Sequence, residues 1–154
     1  INYFTTNQGF SITMILRSKE MAKDRRWLPT LNELIDRLSI HQLKEVFIAE
    51  NKENYAKEIK DMMHDIDLIL EENDSKITAE TIRAIIVLAQ MNAHIWYNET
   101  KVRNGEKDGN LHLTHGLNGI RNVAGNKIVE CVGGRKDYKT DCLAADFKDW
   151  EISW

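Results

Sequence analysis

The chain has 154 residues, 42% of them hydrophobic and 29% charged, with 21 Lys and Arg against 24 Asp and Glu. That size and balance suit one globular domain with its own core, and they exclude a disordered chain. A formal net charge of -3 gives no global attraction to nucleic acid or to an anionic membrane, and two cysteines are too few for a disulfide scaffold.

A single proline favours long uninterrupted helices. No transmembrane run or targeting segment is visible, so a cytoplasmic protein is expected, in the host cytoplasm if the chain is viral. Cys131 and Cys142 lack CxxC spacing and read as reduced thiols, with a disulfide between them left open. The expected fold is all-α: one domain over 1–154, a bundle of four to five main helices over about 13–131, and an aromatic-rich extension over 132–154.

In chain order, an irregular N-terminal stretch leads into Phe10 to Leu16, which fits a short strand or the first turn of a helix; a helix through Lys23 is expected. Arg17, Lys19, Lys23, Arg25 and Arg26 form a basic run beside Trp27. An aromatic flanked by cations can hold a phosphate or base; the plainer reading is a solvated helix end plugged by Trp27. Pro29 and Thr30 then open a second helix. Thr30 with Glu33 makes a capping box, and Leu31, Leu34, Ile35, Leu38, Leu43, Val46 and Phe47 give its apolar face.

The third helix, about 52–72, buries Tyr55, Ile59, Met62, Met63, Ile66, Ile69 and Leu70. Beside them Glu58, Asp61 and Asp65 make an acidic stripe. Such carboxylates repel one another, and a divalent ion would turn repulsion into ligation. Glu33-x-x-Asp36 and Glu58-x-x-Asp61 are thus two clusters that antiparallel helices can bring together. His64-Asp65 is also a pair used by phosphohydrolases, but those need further ligands, and His41 is the one upstream histidine.

Thr78 is expected to cap a helix over about 79–103, apolar on most faces and so placed at the bundle centre. Gln90, Asn92 and His94 need partners if buried there, and Glu99 shares the side of Asn92 and Trp96. Asn98-Glu99-Thr100 matches a glycosylation sequon at the end of this helix. The charged, glycine-containing loop 104–110 precedes a last long helix, about 111–131, whose buried face is Leu113, Leu117, Ile120, Ala124, Ile128 and Cys131.

Its other side carries His115, Asn118, Arg121, Asn122 and Asn126, donors suited to phosphate or a nucleobase edge; polar packing between helices is the alternative. Gly116, Gly119 and Gly125 each cost about 0.5–1 kcal/mol of helix stability, which close helix packing or close ligand approach would offset. Gly133-Gly134-Arg135-Lys136 reads as a basic turn without the context of a phosphate-binding loop. A short helix near 142–150 is expected to cover one bundle end, with its tryptophans packed on the domain or presented to a partner.

The paired Glu33-x-x-Asp36 and Glu58-x-x-Asp61 on successive helices resemble the metal motifs of the all-α nucleoside triphosphate pyrophosphohydrolases, the MazG-like superfamily. The resemblance spans residues 31–70; Asp36 stands where the usual motif has Glu, with Arg37 beside it. It implies a magnesium- or manganese-dependent hydrolase of nucleotides, assembled as a homodimer or higher oligomer. Glu33, Asp36, Glu58 and Asp61 would then hold the metal, and Asp65 would be an auxiliary ligand or orient water. Arg121, with Lys44 as second choice, would stabilise phosphate charge, while His115, Asn118 and Asn122 would position the nucleotide. That assignment needs the last helix to close on the acidic pair. Residues 31–44 also resemble small helical proteins of phages and bacteria, which implies no activity.

The competing reading is a non-catalytic helical binding or inhibitor protein. It would use a polar, nucleotide-sized pocket or the aromatic C-terminal surface to engage a small phosphorylated molecule or a protein. Membrane partners are not expected, and nucleic acid is disfavoured by the acidic balance.

Overall fold

The computed structural model describes residues 27–136 and Ser153. The expected helix at 10–23, its basic run and the short helix near 142–150 lie outside the described residues. Those described form an all-α bundle of four helices, α1 (Leu31–Phe47), α2 (Lys52–Glu72), α3 (Ala79–Arg103) and α4 (Leu111–Val132), with no strand among them. None of the helices is long and apolar enough to cross a membrane.

The helix starts follow from local chemistry. At α1 the Thr30 hydroxyl accepts the Glu33 N–H at 3.3 Å, and the Thr30 N–H donates to Glu33 Oε2 at 2.6 Å. Two donors left over by helix geometry are thereby satisfied. Thr78 and Thr81 make the same reciprocal pair at α3. At α4 the Asn110 side chain accepts from the His112 and Leu113 N–H groups. Asn98 secures that start: its Nδ2 donates to the Asn110 carbonyl at 2.5 Å and to Thr114 Oγ1 at 2.6 Å, and its Oδ1 accepts the Asn110 N–H at 3.1 Å. Asn98 is buried and its amide nitrogen engaged, so the sequon it begins is not presented for modification in this fold.

Contacts fix the directions. Ser75 Oγ donates to the Val132 carbonyl at one end and Asn98 meets Thr114 at the other, so α3 and α4 form an antiparallel hairpin. Leu31 and Ile35 of α1 join Ala84 and Leu88 of α3 and Ala124 and Ile128 of α4 in one buried cluster. On its other side α1 places Leu34 against Ile59 and Met62 of α2. Each large aliphatic side chain buried in this way contributes about 1.5–3 kcal/mol.

The central helix is therefore α1, not the more apolar α3. Its backbone runs close to all three other helices, whereas α2 runs close to α1 alone. The reason is the width of the α1 stripe in its first two turns, where Leu31 and Ile35 face one way and Leu34 the other. The expected apolar face does not persist: Val46 and Phe47 are exposed at the far end of α1, as are Met63 on α2 and Ile82, Ile86 and Tyr97 on α3. Asn92 is buried on α3, but Gln90 and His94 are exposed. On α4 the buried set is Leu117, Ala124 and Ile128 together with Thr114, Val129 and the three helical glycines. Leu113, Ile120 and Cys131 are only half-buried, and Cys131 is a free thiol.

Candidate functional site

Two cavities of similar volume flank the start of α1. One, of about 620 Å³, is lined mainly by apolar side chains such as Leu28, Leu31, Leu34, Leu68 and Val132, with Asp65 and Glu72 among them. The other, of about 640 Å³, lies between α1 and α4 and is lined mostly by polar and charged residues. Trp27, Asn32, Glu33 and Asp36 line it from one side, Arg121, Asn122 and Gly125 from α4, and Arg135 and Lys136 from the segment after α4. Leu88 supplies an apolar patch. A small-molecule site needs a few convergent polar groups on a concave wall, and the second cavity has them.

Its charges are arranged in pairs. Arg135 donates to Glu33 Oε1 at 2.9 Å, and its guanidinium lies over the Trp27 ring, 3.4 Å from the centroid. Gly133 and Gly134, at φ 83° and 126°, turn the chain out of α4 so that Arg135 reaches back to α1, a conformation that favours glycine. Partial burial alone would raise the Glu33 carboxyl; the Thr30 N–H, Arg135 and the Thr30 hydroxyl outweigh it and hold Glu33 below the ordinary carboxylate range. Lys136 pairs with Glu130 at 2.9 Å.

Arg121 stands deeper. Its Nε is 3.9 Å from Asp36 Oδ1, and its Nη1 donates to Asn92 Oδ1 at 3.4 Å. Asn92, buried on α3, donates to Asp36 Oδ1 at 2.8 Å and to Ser39 Oγ at 2.7 Å. One amide thus ties α1, α3 and α4 together and orients both charged groups. Arg121 also lines a smaller cavity of about 240 Å³ with Asn92, Trp96, Glu99 and Asn118. It forms a wall between the two cavities, and Glu99 joins Asn92 and Trp96 as its helical position suggests.

The four carboxylates expected to converge are distributed. Glu33 and Asp36 share the α1–α4 cavity. Glu58 lies 2.7 Å from His41 Nε2, and Asp61 is exposed on α2. Because the α2 backbone runs close to α1 alone, α4 does not close on the acidic helix. Among the described residues no group of three or more His, Cys, Asp or Glu side chains is placed to hold a metal ion. Asp65 lines the apolar cavity. Lys44 sits near the far end of α1, 5.7 Å from the centroid of the Tyr55 ring. His115 is exposed, Asn118 faces the smaller cavity and donates to the Thr114 carbonyl, and Asn122 shares the larger polar cavity with Arg121.

Sequence reasoning missed Asn32, Arg135 and Lys136 as members of this site. Asn32 hides inside the capping box, and the two cations read as a turn. The usable signal was Gly125. A Cβ there would stand 2.8 Å from both terminal atoms of the Asn32 amide. Helix α4 gives up a side chain at this point so that α1 can approach with its amide in place. Asn32 Oδ1 is buried without a hydrogen-bond partner, an arrangement that costs about 1–3 kcal/mol. No protein-family description, curated protein or solved structure matches the chain.

Proposed function

We propose that this chain binds a phosphorylated small molecule of nucleotide size in the cavity between α1 and α4. The observation that carries this reading is the meeting of Arg121, Arg135 and Lys136 on the wall of one cavity of about 640 Å³. Pockets for drug-sized ligands run from about 300 to 1,000 Å³. Guanidinium groups recognise phosphate through paired N–H donors. Arg121 is the first choice for that contact, because its links to Asp36 and Asn92 are long and a phosphate oxygen would replace them with shorter ones.

Thermal denaturation and calorimetric titration with inorganic tripolyphosphate and with nucleoside triphosphates, at fixed ionic strength, test the reading. Saturable stabilisation is expected, reaching about 2.7 kcal/mol at a hundredfold excess over Kd. Arg121→Met should weaken it about ten-fold or more. No stabilisation by any phosphate compound, or full retention in Arg121→Met, rejects the reading.

A second reading adds metal-dependent hydrolysis at the same place. What favours it is that Glu33 and Asp36 line the cavity that holds Arg121. Those two carboxylates would hold magnesium or manganese, which supplies Lewis-acid polarisation of a phosphoryl group when bound. Release of phosphate or pyrophosphate that needs the ion and is lost in Asp36→Asn supports hydrolysis. Binding without turnover leaves the chain a binding protein.

A further inference from the structure

The end of α2 carries Asp65, Leu68, Ile69 and Glu72 at three- and four-residue intervals, which puts them on one helix face. All four line the apolar cavity of about 620 Å³. Leu31 and Leu34 of α1 are buried there, while Leu28 and Leu68 stay 38% and 42% exposed. Its electrostatics have one sign. No Lys, Arg or His among the described residues lines it, whereas Asp65 and Glu72 do. Among the described residues no ion pair or side-chain hydrogen bond engages either carboxylate. Helices α2 and α4 both end on this cavity, at Glu72 and Val132, and neither has a basic residue in its last turn. A helix C-terminus carries the negative end of the backbone dipole, which Lys or Arg commonly offsets. Arg135, next to the lining Gly134, is engaged by Glu33 in the other cavity.

We propose that this cavity binds a small linear organic dication, two ammonium groups joined by an aliphatic middle. The order acid, apolar pair, acid along α2 is the complement of such a molecule. Its middle covers Leu28 and Leu68, and its ends meet Asp65 and Glu72. Seven residues of helix separate the two acids, about 10 Å along the axis, close to the reach of octane-1,8-diamine. Size favours a small molecule over a protein. Leu28 and Leu68 are the only large exposed hydrophobics among the described lining residues, whereas a stable interface buries about 800 Å² on each side. The volume lies within the range of about 300–1,000 Å³ usual for small ligands. The site shares no carboxylate or cation with the phosphate cavity, so the two proposals stand or fall separately.

Calorimetric titration of the full chain at neutral pH and fixed ionic strength compares octane-1,8-diamine, octylamine, butane-1,4-diamine and octanoate. The longer diamine should bind saturably, about two- to five-fold tighter than octylamine, which lacks the second charge. It should bind about ten-fold or more tighter than the shorter diamine, which buries fewer methylenes, and octanoate should not bind. Asp65→Asn with Glu72→Gln should bring the longer diamine level with octylamine. Asp67→Asn with Glu71→Gln takes the same charge from exposed α2 positions that do not line the cavity, and should change affinity less than about two-fold. Leu68→Ser, at an exposed position, should weaken octane-1,8-diamine and octylamine alike by about five-fold. No saturable binding of the longer diamine, equal binding of octanoate, equal effects of the two double variants, or no effect of Leu68→Ser overturns the proposal. Self-association of the chain that Leu68→Ser abolishes would make the cavity a contact between copies, and the proposal would fall.

Discussion

Removing the Asn92 side chain should loosen the bundle and the site together. Asn92 is 3% exposed and gives one hydrogen bond to the Asp36 carboxylate at 2.8 Å and one to the Ser39 hydroxyl at 2.7 Å. A bond to an ion is worth about 1.5–3 kcal/mol and a neutral one about 0.5–1.5. The 3.4 Å contact with Arg121 adds little. Asp36 is 31% exposed, so solvent reduces the first figure toward its lower end. Asn92→Ala is therefore expected to cost about 2–3 kcal/mol. For a chain of this size that is a Tm lower by about 4–12 °C. Urea denaturation of Asn92→Ala, Asp36→Ala and the double variant isolates the pair, with a coupling of about 1.5–2.5 kcal/mol expected. A coupling below about 0.5 kcal/mol would show that the amide does not hold the carboxylate, and the account of how Arg121 is oriented would fail with it.

Three further outcomes are expected. Glu33 has a folded pKa below its unfolded one, so its contribution is present above the unfolded value and lost as pH falls through the lowered folded value. The stability gap between wild type and Glu33→Gln should shrink toward acid in urea titrations, and a gap constant from neutral to pH about 3 would contradict this. Gly109→Ala should cost about 1–3 kcal/mol, because the new Cβ would stand 2.8 Å from the Val102 backbone nitrogen, which cannot yield as a side chain would; a Tm equal to wild type would refute it. Asn98→Ala removes three buried-side hydrogen bonds at the α3–α4 turn and should cost about 3 kcal/mol. Amide exchange at 104–113 should quicken with it, and unchanged exchange would mean that the turn is held by other contacts.

The helices themselves were legible in the letters. Thr30 with Glu33, and Thr78 with Thr81, mark starts that depend only on neighbours within four residues. Capping and 3.6-residue periodicity are local physics, so the sequence states them directly. The polar pattern on α4 also pointed to Arg121 and Asn122, which do line the cavity.

Tertiary structure decided which neighbours those helices have. Glu58 and Asp61 have the spacing of a second acidic cluster, but α2 docks on Leu34 of α1 and leaves α4 to the other flank. Hydrophobic burial is non-directional, so the apolar stripes alone do not say which helix faces which. Asn32, Gly125 and Arg135 are 10 to 103 residues apart in sequence. Only the close approach of α1 and α4, permitted by one missing side chain, and the glycine turn after α4 gather them around one space.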